Sequence, residues 1–235
     1  LIDTAKNAGA NAVKFQTFRT EEIISKNAPK AKYHLETTGT DAELSWYELL
    51  KTQELDAESH QKIQNYCLTK RIEFLSTPYD EASVDLLTNL NVMMFKVAST
   101  DLMNFKLLDY MATKKIPMIL STAMATMDEV SRSVGFLNQR LPAENICVLH
   151  CTGNYPSAFD ELNLKAIETF KRSFPNTIGF SDHSLDFVSV PAAAISLGAT
   201  VYEKHFTISR KMPGPDHRMS LEEKELTEMI KNIRK

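Results

Sequence analysis

The sequence has little excess charge, few glycines and no long apolar segment, and each shortage excludes a class of protein. A formal net charge of −3 over 235 residues leaves no basic surface for nucleic acid or an anionic membrane, so we expect neither partner. No apolar run is long enough to cross a bilayer. Seven glycines provide no glycine-rich loop after an early strand, which argues against a doubly wound dinucleotide-binding sheet.

Cysteine is also scarce, and the three residues Cys67, Cys147 and Cys151 are an odd number. Cys147 and Cys151 lie in an apolar segment, where buried free thiols are expected. A reducing cytoplasm is therefore the expected location. The remaining composition, 43% hydrophobic and 24% charged, is typical of one globular domain with a large core.

The first ten residues, LIDTAKNAGA, have the pattern of a helix that is already under way. Leu1, Ala5 and Ala8 follow helical spacing, and Gly9 suits a helix C-cap. There is no initiator Met and no signal-peptide pattern. We therefore expect residues 1–235 to be a single-domain fragment of a longer chain.

Strand and helix patterns alternate along the rest of the sequence. Predicted strands, rich in Val, Ile, Leu and Phe, cover residues 12–16, 72–77, 94–99, 117–122, 146–152, 177–183 and 199–206. Predicted helices cover residues 54–70, 81–90, 105–114, 126–139, 163–173, 187–197 and 221–234. Residues 17–52 read as a long polar insertion. This order predicts an α/β fold, a (β/α)8 TIM barrel that lacks its first strand.

Two histidines, His183 and His205, stand near the C-terminal ends of the last two predicted strands. The helix between them makes a β-α-β unit, so the two strands can lie side by side and hold both imidazoles near one ion. Neutral imidazole is a common ligand of divalent transition metals. The spacing predicts a metal site; the alternative is two unrelated polar residues at strand ends.

Further polar side chains fall inside the hydrophobic strands, where they are costly unless paired or used. In a barrel they would converge at the carboxyl-terminal mouth, where such enzymes place their chemistry. For Lys14 or Lys96 taken alone, the alternative to a position at the mouth is one on the outer face of the strand, with the ammonium group reaching water. The residues concerned are Lys14, Gln16, Lys96, His150, Ser181, His183, Glu203 and His205.

The strand ends also carry a family resemblance. In order along the whole chain they read AVKFQTF, FLSTPYD, FKVASTD, ILSTAM, LHCTGNYP, IGFSDHS, EKHFT and MPGPDH. Together these segments resemble the sialic acid synthase family, also called the N-acetylneuraminate synthase or NeuB family. The resemblance implies condensation of phosphoenolpyruvate with an N-acylated amino sugar, giving a nine-carbon 3-deoxy-keto acid and phosphate. It also implies a barrel followed by an antifreeze-like domain, in a homodimer.

The same resemblance implies roles for individual residues. It implies a divalent metal, usually Mn²⁺ with Mg²⁺ or Co²⁺ as alternatives, bound by His183 and His205. It implies catalytic roles for Lys14 and for Asp101, near the reacting carbons. The residues implied for phosphoenolpyruvate are Lys14, Thr77, Lys96, Ser99 and Ser181. Those implied for the sugar are Gln16, Tyr155 and Asp216.

Three departures from the family pattern qualify these expectations. The family's first strand, which carries a glutamate and an Asn-His pair, has no counterpart in the sequence. Neither has the antifreeze-like domain, which offers an arginine to the partner's sugar. Ala123 stands where the family usually has glycine, and its methyl group is expected to crowd a tight turn. Residues 1–235 alone are therefore expected to be inactive, and either unstable or only part of a longer chain.

The sequence leaves alternatives open for the sugar substrate and for the class of function. N-acetylmannosamine is the default sugar, and the di-N-acetyl sugars that lead to legionaminic or pseudaminic acid are close alternatives. One rival function is a metal-free aldolase that forms a Schiff base on Lys14, Lys96 or Lys204. The other is a non-catalytic role in sugar binding or assembly.

Overall fold

The computed structural model describes residues 1–29, 44–214 and 216–235. Within them, seven strands form one parallel sheet in which neighbours in sequence are neighbours in space. The strands are β1 Ala12–Thr17, β2 Glu73–Pro78, β3 Phe95–Val97, β4 Met118–Ser121, β5 Ile146–Cys151, β6 Thr177–Asp182 and β7 Val201–Lys204. The helices are α1 Ile2–Ala8, α2 Thr20–Ile23, α3 Trp46–Gln53, α4 Ala57–Lys70, α5 Glu81–Asn89, α6 Phe105–Thr113, α7 Met127–Asn138, α8 Ala166–Ser173, α9 Ser189–Ser196 and α10 Glu223–Ile233.

The predicted alternation of strand and helix is confirmed, with two differences. β3 is only three residues long, because the chain turns into a 3-10 helix at Ser99–Asp101 directly after it. The predicted polar insertion, residues 17–52, contains helix α2 and most of helix α3. Ser45 caps helix α3 by accepting from the Glu48 N–H, while the Glu48 carboxylate accepts from the Ser45 N–H. Residues 30–43 of the insertion lie outside the described residues.

The sheet curls so that the two faces of each strand meet different layers. The large buried cluster between sheet and helices includes Phe95, Leu108 and Phe180. A smaller cluster on the other face joins Ile119, Cys147 and Leu149, with Leu75, Met94 and Val201 packed against it. Because these six side chains come from strands β2, β4, β5 and β7 and from the residue before β3, the smaller cluster is the interior of a barrel wall.

The helix layer joins the two ends of the sheet. Helix α1 packs against helix α10. The Arg234 guanidinium donates to the Gly9 carbonyl at 2.6 Å and to Asn11 Oδ1 at 2.9 Å. Gly9, with φ 93°, is the predicted C-cap of α1. In the part of the chain that the structure describes, β1 and β7 share no ladder, yet Lys14 of β1 reaches Glu203 of β7 at 3.3 Å.

Two further expectations concern cysteine and membrane spans. Cys147 and Cys151 are free and buried, as their apolar segment predicted, and so is Cys67. Of the helices that the structure describes, none is long and apolar enough to cross a membrane.

Candidate active site

A carboxylate, Glu203, stands at the centre of the polar groups that line the inner face near the carboxyl ends of the strands. Its Oε2 lies 3.3 Å from Lys14 Nζ, and its Oε1 lies 3.7 Å from Lys96 Nζ. Ser181 Oγ donates a hydrogen bond of 2.8 Å to Oε1. We call these four residues the Glu203 cluster. It joins strands β1, β3, β6 and β7, so the curl of the sheet brings it together.

Lys96 is the deepest member of the Glu203 cluster. Its side chain is 3% exposed, and Nζ donates to Ser121 Oγ at 2.5 Å and to the Val97 carbonyl at 3.1 Å. Burial lowers the pKa of Lys96 to about 8, although the Glu203 carboxylate opposes the shift. The charge on this lysine therefore changes within the range in which enzymes are assayed.

Glu203 itself stays ionised. Burial would raise its pKa, but the ammonium groups of Lys14 and Lys96 outweigh burial and hold the pKa far below its ordinary value. Two lysines around one carboxylate leave a net positive charge when both are protonated. Such a surplus suits an anion with more than one negative group.

The two histidines predicted as metal ligands face each other beside this cluster. The ring centroids of His183 and His205 are 5.6 Å apart, with 67° between the ring planes. His183 Nδ1 lies 2.7 Å from the Thr152 carbonyl oxygen, which can only accept. The proton of neutral His183 is therefore on Nδ1, and the lone pair is on Nε2.

Both imidazoles fit a divalent metal. Burial lowers the pKa of His183, and burial with the nearby charge of Lys14 lowers the pKa of His205, so both rings are neutral at ordinary pH. A carbonyl that fixes the tautomer is a common partner of a metal-binding histidine. Among the described residues, no group of three or more His, Cys, Asp or Glu side chains surrounds this point, so the fit rests on the two imidazoles.

Two predicted sugar contacts adjoin the histidines. Tyr155 stacks on His183 with 4.1 Å between ring centroids, and it lies edge-on to His205 at 5.9 Å. Asp216 Oδ2 lies 3.9 Å from His205 Nδ1. The segments that follow β5 and β7 therefore meet at the histidine pair.

The other predicted site residues make contacts outside this group. Gln16 Nε2 donates to the Tyr79 hydroxyl at 3.1 Å, and the buried Thr77 is its register partner on β2. Ser99 Oγ accepts from the Ala123 N–H at 2.9 Å and lies 3.6 Å from Cys151 Sγ. These residues lie at or just after the carboxyl ends of β1 to β5.

Asp101 lies in the 3-10 turn after β3. Asn104 Nδ2 donates to its Oδ1 at 3.0 Å. Burial raises the pKa of Asp101, against the effect of that hydrogen bond. Its carboxyl group therefore holds a proton more readily than an ordinary aspartate.

Two residues that the sequence placed among the interior polar groups or reactive lysines face the other way. His150 stacks on Phe180 at 5.5 Å in the helix-side cluster, and its Nε2 bonds the Leu162 carbonyl at 2.8 Å. It faces outward because Leu149, beside it on β5, faces inward. Lys204 lies on the outer face of β7 in an ion pair with Asp182. The predicted position of His150 at the mouth was wrong, and Lys204, one of the alternative Schiff-base lysines, lies outside the mouth.

From the sequence, Glu203 was placed on the inner face of its strand, but no function was predicted for it. The contacts of Ser121 with Lys96 and of Thr152 with His183 were not predicted. The alternation Glu203, Lys204, His205 carried the signal for Glu203, because residues two apart on a strand share a face. Thr152 contributes a backbone carbonyl, for which side-chain identity gives no signal.

The turn around Ala123 differs from its prediction. Ala123 is buried and its φ is not positive, whereas Met124 has φ 64°. The left-handed residue of the turn is therefore Met124, and the methyl group of Ala123 is accommodated. Gly153 gives the turn room, since a Cβ there would lie 2.9 Å from Met124 Cγ.

Comparisons with known proteins agree on the family that this chain resembles. The sequence profile of the NeuB family matches residues 1–235. An N,N'-diacetyllegionaminic acid synthase of Campylobacter jejuni is 40% identical over 235 residues, 100% of this chain and 70% of that protein. One of Legionella pneumophila is 37% identical over 237 residues, 100% of this chain and 66% of that protein. The chain thus spans about two thirds of the length of these curated relatives.

A solved structure is similar throughout. It is an N-acetylneuraminic acid synthetase of Leptospira borgpetersenii in complex with citrate, with a TM-score of 0.87 and 31% identity. The similarity covers 99% of this chain and 75% of that one.

Proposed function

This chain belongs to the NeuB family, and on that premise we propose that it condenses phosphoenolpyruvate with an N-acylated amino sugar. The product is a nine-carbon 3-deoxy-keto acid of the sialic acid type, released with inorganic phosphate. The observation that carries the proposal is the Glu203 cluster beside the histidine pair. It puts two lysines suited to an anionic substrate next to two neutral imidazoles suited to a metal.

In the proposed reaction, C3 of phosphoenolpyruvate attacks the aldehyde carbon of the sugar. Water adds to C2, and phosphate leaves with cleavage of its C–O bond. Lys14 and Lys96 would bind the phosphate and carboxylate groups, because ammonium groups make strong charge-assisted hydrogen bonds to such anions. Glu203 would hold both lysines in place before substrate arrives. Ser181 donates its hydroxyl hydrogen bond to Glu203; because phosphoenolpyruvate offers only acceptor oxygens, this hydroxyl would turn from Glu203 to the substrate on binding.

His183 and His205 are the residues that would hold a divalent metal, with Mn²⁺ as the first choice. A metal there would act as a Lewis acid toward the aldehyde oxygen of the sugar. His183 keeps its Nε2 available because Thr152 fixes the ring through Nδ1. Tyr155, stacked on that ring, would limit its rotation and offer a flat surface to the sugar.

A second candidate for the sugar has its own support. The two relatives named as N,N'-diacetyllegionaminic acid synthases are 40% and 37% identical to this chain. The N-acetylneuraminic acid synthetase of known structure is 31% identical. This order favours a di-N-acetyl amino sugar over N-acetylmannosamine.

Phosphate release by the full-length protein tests both candidates. The assay would supply phosphoenolpyruvate, Mn²⁺ and one sugar at a time: N-acetylmannosamine, or the di-N-acetyl precursors of legionaminic and pseudaminic acid. We expect release with at least one of them. Substrate binding without release from any sugar would favour the binding or assembly function, and activity that survives a chelator together with borohydride trapping would favour the aldolase.

Lys14→Ala is expected to raise the KM for phosphoenolpyruvate far more than the KM for the sugar. A lysine contact to a dianion contributes about 2–3 kcal/mol, or roughly 30–150-fold in affinity. The measurement is initial rate at varied concentrations of each substrate. Lys114→Ala, which removes a surface lysine paired with Asp85 on the outer helices, is the control. An unchanged KM for phosphoenolpyruvate in Lys14→Ala would remove this lysine from the proposed site.

Lys96 predicts an alkaline limit to phosphoenolpyruvate binding. Its pKa of about 8 means that the ammonium charge is present below this pH and is lost above it. The KM for phosphoenolpyruvate should therefore rise as the pH passes about 8, whereas an ordinary lysine would keep its charge to about pH 10. In Lys96→Met the KM should be high at every pH and the rise near pH 8 should disappear. A rise of equal size in that variant would assign it to another group.

A further inference from the structure

A buried ion pair lies on the outer side of the two strands that carry the histidines. Lys204 Nζ and Asp182 Oδ2 are 2.5 Å apart, and the side chains are 2% and 0% exposed. The two residues are direct partners in the β6–β7 ladder. The pair therefore joins the carboxyl ends of both strands through side chains as well as through backbone.

The hydrogen bonds of this pair extend into the loop that follows β6. Lys204 Nζ donates to the carbonyls of Ser184 at 2.6 Å and Asp186 at 3.0 Å. Asp182 accepts from the Ser184 N–H at 2.8 Å and from the Tyr202 hydroxyl at 2.6 Å. One ammonium group thus contacts four oxygens of the strand end and its loop, including Ser184 Oγ at 3.5 Å.

Each member of the pair immediately precedes one of the facing histidines. Asp182 is followed by His183, and Lys204 by His205. The ion pair fills the outer side of the strand ends, while the two imidazoles face each other on the inner side. A shift between the ends of β6 and β7 would change the separation of the imidazoles, and the ion pair opposes such a shift.

Stability alone gives a weak reason for such a pair. Removing two charges from water costs several kcal/mol per ion, and well-packed apolar side chains often stabilise a fold equally well. An ion pair adds a constraint on distance, because Nζ and Oδ2 must stay within hydrogen-bond reach of each other. A metal site needs this kind of constraint, since a transition-metal ligand atom sits roughly 2 Å from its ion.

We propose that the Asp182–Lys204 ion pair fixes the separation of His183 and His205 and thereby sets the affinity of the site for a divalent metal. Asp182 and Lys204 are positioning residues, since they act through the histidines. The inference rests on the proposed metal site. The inference gives Lys204 a structural role in place of the Schiff-base role of the aldolase alternative, because its ammonium group is held on the outer face.

The test uses the full-length protein with two variants, Lys204→Met and Asp182→Asn. Lys204→Met keeps most of the side-chain volume without the charge, and Asp182→Asn keeps the shape of the carboxylate. Titration calorimetry measures Mn²⁺ affinity, and the visible spectrum of bound Co²⁺ reports the geometry of the site. We expect an affinity loss of about 10-fold or more, in the range found for residues behind metal ligands, and a changed Co²⁺ spectrum.

Leu137→Ala is the matched control. Leu137 is fully buried in helix α7, which packs against β5, so its loss should lower the unfolding temperature, and it lies on neither of the strands that carry the ion pair. We expect unchanged Mn²⁺ affinity in this control. If one of the two variants fails to fold, the other carries the test.

The outcomes separate the inference from the metal site itself. Wild-type protein that binds neither Mn²⁺ nor Co²⁺ would overturn the metal site and the inference with it. Wild-type binding with equal affinity and an equal spectrum in a folded variant would overturn the positioning role alone. An equal loss of affinity in Leu137→Ala would also overturn it, since general destabilisation would then explain the effect.

Discussion

Glu203→Gln is expected to lower the free energy of unfolding by about 2–4 kcal/mol. Removing one partner of a buried pair typically costs roughly 3–5 kcal/mol, and the lower figure allows for the 22% exposure of the Glu203 side chain. The cost arises because Lys96, 3% exposed, would be left without a carboxylate. Denaturant unfolding at pH 7 measures it.

Glu81→Gln is the control for that experiment. Its partner Lys106 is 86% exposed, so the loss of this ion pair should leave the unfolding midpoint almost unchanged. A Glu203→Gln protein as stable as Glu81→Gln would contradict the central role of the Glu203 cluster.

The pH dependence of the Glu203→Gln effect has a definite sign. Because the folded-state pKa of Glu203 lies below its ordinary value, its contribution to stability is present above the ordinary carboxyl range and is lost as the pH falls below it. Wild type and variant should therefore converge in stability on the acid side. The substitution should also lower the pKa of Lys96 below about 8, since the Glu203 carboxylate raises that pKa.

His183→Ala is expected to lower Mn²⁺ affinity by more than about 100-fold, because even partners behind metal ligands contribute about 10–100-fold. Turnover at fixed Mn²⁺ should fall at least as far. Calorimetry and phosphate release measure the two effects. The lowered pKa values of His183 and His205 predict that wild-type binding persists below pH 6.5, since a neutral ring has no proton to lose.

His150→Phe is the control for the histidine. His150 is buried near the same end of the sheet but faces the helix layer, where it stacks on Phe180. A phenylalanine keeps the stacking and loses one hydrogen bond, so stability should fall while Mn²⁺ affinity stays. If His150→Phe lost the metal and His183→Ala kept it, the assignment of faces on β5 and β6 would be reversed.

The sequence was informative where one face of a strand is polar. On β7, Glu203 and His205 share a face, and the period of two predicts that they lie together. On β5 all six residues are buried, so the apolar pattern does not determine which face is which, and His150 was placed on the wrong one. When every residue of a strand is hydrophobic, the sequence does not show which residues face the barrel interior and which face the helices.

Pairings between strands were beyond the sequence. Asp182 and Lys204 are separated by a whole helix, and their contact depends on the register of β6 against β7. Register follows from packing of the complete sheet, not from either segment. Helix α3 could have been predicted, because the segment SWYE contains its capping box, Ser45 with Glu48. It was missed because the hydrophobic periodicity around that segment is weak.

The contact between Arg234 and Gly9 has a kinetic consequence. It joins residues 225 positions apart, whereas each strand pairs with its neighbour along the chain. Closing a loop of that length costs roughly 5 kcal/mol of chain entropy by the (3/2)RT ln n relation, and distant contacts slow folding. Adjacent β-α units can therefore assemble first, and the Lys14–Glu203 contact across the ends of the sheet forms late. The Glu203 cluster would then be completed in the last step of folding, and partly folded chains would leave Lys96 without its carboxylate partner.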